Sequence, residues 1–121
     1  MFIPGYLLER LYVQDSLKNT EDGFEFVMRN VVDSGTLTRL TAIEVDGAAI
    51  PLENVTVVKD DKTIKATDLS PNAPLFFPVG STLTVKVSGQ ALEPGAHQIM
   101  LKVNTWEAGG LSIPIKAELK A

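Results

Sequence analysis

The sequence predicts an all-β fold, a single-domain antiparallel β-sandwich of about eight strands in two sheets, and three observations carry that prediction. Apolar and polar residues alternate with period two along nearly the whole chain. Turn-forming clusters of Gly, Pro, Asp and Asn recur roughly every 8 to 12 residues. No segment repeats apolar residues at the helical spacing of an amphipathic helix. A closed barrel is the second choice.

The 121 residues suit one domain spanning 1–121, with 45% hydrophobic and 21% charged residues to build a core and a solvated surface. A chain of this size buries roughly two thirds of the surface exposed when unfolded. No repeat, low-complexity tract or linker marks a domain boundary.

Taken in order, Leu11, Val13 and Leu17 predict a first strand, bent around Asp15 and Ser16, and residues 19–23 a polar turn. Phe24, Phe26 and Met28 put their side chains on one face of a second strand, with Glu25 and Arg29 on the other. Val31 and Val32 lead into a turn at Asp33-Ser34-Gly35. Threonine and β-branched residues between Leu37 and Val45 predict a third strand, and Asp46-Gly47 supplies the positive φ angles of a tight hairpin. Its return through Ala48 to Ile50 is short, because Pro51 cannot donate to a ladder.

Val55, Val57 and Val58 form the next strand, joined by the charged tip Lys59-Asp60-Asp61-Lys62 to Thr63 through Thr67. Residues 70–80 carry Pro71, Pro74 and Pro78, which predicts the longest irregular loop. Leu83, Val85 and Val87 define a half-buried strand. Pro94 suits the second position of a turn and Gly95 the third, so His97 heads an inward row with Ile99, Leu101 and Val103. Glu107 to Gly110 turns the chain into a last strand, Leu111 to Leu119, which Pro114 is expected to break.

A formal charge of −4 and a pI near 4.9, with lysines scattered singly, exclude the cationic stripe that nucleic acid requires. The lack of cysteine excludes disulfides, thiolate metal sites and cysteine nucleophiles, and fits a reducing cytoplasm. Pro4, Gly5, Glu9 and Arg10 interrupt the apolar N-terminus before an export signal forms, and no apolar run approaches the roughly 18 residues of a membrane span.

His97 is the only histidine, and two readings of it stand: a proton shuttle, or a residue that caps the sheet by bonding to backbone where a turn becomes a strand. No Gly-x-Ser-x-Gly elbow and no second histidine support catalysis or a zinc pair. Asp60 with Asp61, and Glu21 with Asp22, read as solvated hairpin tips, since the alternating oxygen ligands of a calcium loop are lacking. Trp106 is a candidate for stacking on a sugar or a partner, or for closing one end of the core. Phe76 and Phe77 lie in the proline-rich loop, with at least one expected to fold under it. Trp106, Phe76, Phe77 and His97 are thus the candidate partner- or ligand-facing residues. No catalytic, cofactor or metal residue is assigned.

Asp22-Gly23-Phe24-Glu25-Phe26-Val27-Met28-Arg29, Val45-Asp46-Gly47 and Leu92-Glu93-Pro94-Gly95-Ala96-His97 together resemble, in order and spacing, the small β subunit family of bacterial C-glycoside deglycosidases. That resemblance implies a β-sandwich accessory subunit beside a larger barrel-type α subunit. There, a metal-dependent site cleaves the carbon–carbon bond between a 3-oxo sugar and its aromatic aglycone. The metal belongs to the α subunit, so only the fold and the partner role carry over. The functional expectation is a noncatalytic accessory subunit of a sugar-processing complex. The alternative is a stand-alone, homo-oligomeric structural or binding sandwich. An independent hydrolase built on His97 is third.

Overall fold

The computed structural model describes residues 3–120. Its strands are β1 (Lys18–Asn19), β2 (Gly23–Arg29), β3 (Gly35–Val45), β4 (Ala48–Ala49), β5 (Val55–Lys59), β6 (Lys62–Lys65), β7 (Leu75–Phe77), β8 (Thr82–Ser88), β9 (Gly95–Thr105) and β10 (Gly109–Leu119). One sheet runs β1-β2-β8-β5-β6, the other β10-β9-β3-β4, with β7 also paired to β3. Every pairing is antiparallel, and the fold is the expected all-β sandwich. The strand total exceeds the expectation because β1, β4 and β7 are very short.

The inward rows pack as their alternation dictates. Phe24, Phe26 and Met28 of β2 and Val85 and Val87 of β8 meet Ile43 of β3, Ile99 of β9 and Ile115 of β10 across the layer. Tyr12 closes one flank of it, its ring 6.3 Å from that of Phe26. Asp46 and Gly47 both take positive φ, 52° and 86°, as the two-residue hairpin between β3 and β4 demands.

Three local expectations are corrected. Residues 11–17 are not a strand: the chain enters through a helical turn, α1 (Gly5–Leu8), and a 3₁₀ turn (Glu9–Leu11), and only Tyr12 bridges to Met28. Ser16 explains the interruption, since its hydroxyl donates to the Val13 carbonyl and accepts from the Val27 N–H, replacing a ladder bond with a side chain. Within 70–80, Pro74 and Pro78 bracket the three-residue β7 instead of preventing it. Its short span along β3 needs no donor from either proline. Pro114 does not break the last strand, because β10 is an edge strand with one side free of pairing.

β3 carries two bulges against β9, at Thr38 and Thr41, which the register skips. Their hydroxyls bond the carbonyls of Asn104 and Lys102, so each interruption is satisfied locally. Inward residues of β3 therefore fall at Leu37, Leu40, Ile43 and Val45, no longer at strict period two.

Packing between the sheets leaves a cavity of about 150 Å³ at the end where β2 finishes and β3 begins.

Candidate functional site

His97 lies at the opposite end, where β9 begins. Its Nδ1 is 2.7 Å from Asp46 Oδ2 and its Nε2 is 2.7 Å from the Glu93 carbonyl. A carboxylate and a carbonyl can only accept, so this arrangement favours the ring protonated at both nitrogens. The other Asp46 oxygen accepts from the Gln98 N–H at 2.8 Å. The Gln98 backbone, and then the ring, hold the Asp46 carboxyl below its usual range. The Glu93 carbonyl, and then Asp46, raise the His97 pKa above its ordinary 6.5. Neither nitrogen is free to take a proton from a substrate. The ring instead clamps the Asp46-Gly47 hairpin to the Glu93-Pro94 turn.

A cleft of about 480 Å³ lies beside this clamp, lined by Phe24, Ile50, Asn54, Gln90 and Leu92 among others. Among the described residues no group of three His, Cys, Asp or Glu side chains is placed to hold a metal ion.

The clamp has a pH signature. Because His97 is raised, its contribution to stability is complete below 6.5 and disappears as pH climbs through the folded value. Because Asp46 is lowered, its contribution is present above 3.8 and disappears as pH falls through its folded value. Urea denaturation from about pH 5 to about pH 9 is expected to show stability declining on the alkaline side, and His97→Gln to remove that slope. NMR titration of this only histidine reads the pKa directly, and an unshifted value would contradict the clamp.

The other candidates gather around the first residues of β3. Thr36 pairs with Phe76 of β7 on one side, and on the other its carbonyl accepts from the Trp106 N–H at 3.2 Å. Cross-strand neighbours project to the same face, so Thr36 and Phe76 form one row, which Trp106 extends from the turn after β9. Thr36 is buried, while Trp106 and Phe76 remain 61% and 58% exposed. Val79 is also exposed and joins the same end, its N–H donating to Ser34 Oγ. Phe77 is the one of the pair that folds under: it is buried and lines the cavity beneath the row. Alternation inside β7 separates the two phenylalanines, one out and one in.

Glu107 braces the start of β3 from the turn that carries Trp106. Its Oε1 accepts from the Thr36 N–H and its Oε2 from the Thr36 hydroxyl, both at 2.8 Å. Those bonds hold its carboxyl below the usual range. Thr105 Oγ1 accepts from the Ala108 N–H and donates to the Gly109 carbonyl, which ties the turn bearing Trp106 at both ends. Sequence reading missed this brace, because nothing local links Glu107 to a threonine 71 positions away.

Asn30 was missed as well. Buried at the end of β2, it donates from Nδ2 to the carbonyls of Asp33 and Phe77, and accepts at Oδ1 from the N–H groups of Val32 and Asp33. All four side-chain bonds go to backbone, which fixes the 30–35 loop under the aromatic row.

Fold and geometry together define a class: a β-sandwich with exposed aromatics at one end and, at the other, a histidine whose two nitrogens are both hydrogen-bonded. The chain belongs to the hydroxymethylglutaryl-CoA reductase N-terminal domain family, whose model matches residues 7–120. Among curated proteins none matches the chain. The family match overturns the resemblance to C-glycoside deglycosidase β subunits, and the barrel-type α subunit and sugar substrate that rested on that resemblance are not carried further. The motifs behind it are local solutions that any sandwich can reach: an alternating aromatic strand, an Asp-Gly hairpin and a Pro-Gly turn. Among the described residues no helix is long and apolar enough to cross a membrane.

Proposed function

We propose that this chain is a noncatalytic accessory β-sandwich that docks through its Trp106–Thr36–Phe76 face onto a larger catalytic polypeptide. The observation that carries this reading is the aromatic row itself, exposed yet braced by Glu107. A backbone already held in place loses little conformational freedom on binding, and buried aromatic anchors dominate interface energies. The two bonds of His97 support the noncatalytic half, because they engage both ring nitrogens within the fold. The family is named for a domain of hydroxymethylglutaryl-CoA reductase, and a catalytic polypeptide of that kind is the partner we favour.

Co-expression with such a polypeptide from the same source, followed by size-exclusion chromatography, tests the reading. Co-elution is expected, and Trp106→Ser and Phe76→Ser should each weaken the complex by about 30-fold, as loss of a central anchor does. Failure to co-elute counts against docking. A stable homo-oligomer of the isolated chain that Trp106→Ser dissociates would overturn the reading in favour of self-association through the same face.

A further inference from the structure

We infer that the cavity between the sheets is a binding site for a compact, uncharged apolar molecule of about benzene size. The proposal goes beyond docking, and it stands on the cavity's walls and mouth. Leu8 and Leu11 of the N-terminal turns, Leu83 and Val85 of β8, and Leu101 and Val103 of β9 supply aliphatic walls from both sheets, around about 150 Å³. A largely aliphatic cavity of this volume accepts benzene, because most of its wall offers water no hydrogen bond. The same walls lack dispersion partners across the gap, so an apolar occupant restores contacts that the side chains do not make with one another.

The mouth decides the ligand's charge. Asp33, Ser34, Arg39 and Glu107 border the cavity and are exposed at the surface, so the opening lies there. Most of its polar atoms are committed: both Glu107 oxygens to Thr36, one Asp33 oxygen to the Ser34 N–H, and Ser34 Oγ to the Val79 N–H. The four bonds of Asn30, which also lines the cavity, leave its amide nothing to offer. Arg39 alone forms no ion pair or side-chain hydrogen bond among the described residues. Two carboxylates flank that one guanidinium, which disfavours an anionic head group, and the aliphatic walls disfavour a cation.

Benzene is the probe, titrated into the full chain carrying ¹³C-labelled methyl groups. Saturable ring-current shifts are expected at Leu83, Val85 and Leu101. At about ten times the dissociation constant, the unfolding equilibrium constant should fall about tenfold. Val57→Phe fills the cavity from β5 and should abolish both effects. If that variant does not fold, Ala108→Leu at the mouth serves instead, and it should weaken binding at least tenfold. Methyl signals unmoved up to the solubility limit of benzene would overturn the proposal. So would hexanoate binding where benzene does not, or a filled variant that binds benzene as the native chain does. None of these outcomes depends on the Trp106 face, whose fate is read by co-elution.

Discussion

Asn30→Asp is expected to destabilise the protein by about 4 kcal/mol, measured as a lower urea midpoint at unchanged m. The substitution keeps size and shape while changing two N–H donors into an acceptor. The carbonyls of Asp33 and Phe77, 2.7 and 2.8 Å from Nδ2, would then face a carboxylate oxygen inside the fold. Each buried acceptor left without a donor costs about 1 to 3 kcal/mol, and a buried charge adds to that. Two losses of that kind account for the total. The bonds accepted at Oδ1 from Val32 and Asp33 survive, so the loop is weakened and not released. Because Phe77 and Asn30 both border the cavity and lie under the aromatic row, the variant should also loosen presentation of Phe76. A cost below about 1 kcal/mol would mean that the amide does not brace the loop.

Gly23→Ala comes next, with an expected loss of about 3 kcal/mol or more, at the upper end of overpacking costs. Gly23 stands opposite Ser88 where β2 pairs with β8. A Cβ built there falls far inside van der Waals contact of the Val87 carbonyl oxygen, and 2.8 Å from the carbonyl carbon. The obstructing atoms are backbone, and they cannot swing aside as a side-chain tip can. Val87 is itself paired with both Phe24 and Val55, so moving it disturbs three strands. Gly5→Ala is the control: a Cβ at that site meets nothing within 4 Å, and a change within about 0.5 kcal/mol is expected. Equal unfolding midpoints for the two variants would refute the close approach.

Much of this architecture was legible in the residues. Phe24, Phe26 and Met28 alternate with polar neighbours, and burial alone can satisfy that pattern in a strand. Asp46-Gly47 is a hairpin because few dipeptides tolerate two positive φ angles in succession. Gly95 behaves in the same way, with φ at 120°. Harder to read were places where a side chain replaces a ladder bond. Ser16 takes a place in the ladder where a strand was expected, leaving a single bridge, and Thr38 and Thr41 shifted the inward phase of β3. These depend on which carbonyl lies opposite, and a linear pattern does not contain that information.

For the candidate site the division is similar. Trp106, Phe76 and His97 stand out by residue type alone, as aromatics in loops and a lone imidazole do. Whether they meet is a matter of register. Thr36 brings Trp106 and Phe76 together, with one in the turn after β9 and the other in β7, while His97 lies at the far end of the same sheet. Its chemistry, too, was settled by its neighbours: a carboxylate and a carbonyl at 2.7 Å consume both nitrogens.

By itself the sequence determined that the chain forms layered antiparallel sheets, because the period of apolar residues and the turn residues act over a few positions. Tertiary structure alone decided which distant groups touch: Glu107 with Thr36, His97 with Asp46, Asn30 with Phe77. It also decided that the apolar rows stop short of filling the space between them. The reason is physical. Alternation tells each side chain which way to point, whereas hydrogen-bond partners and packing gaps depend on three-dimensional register between strands that lie far apart in the chain.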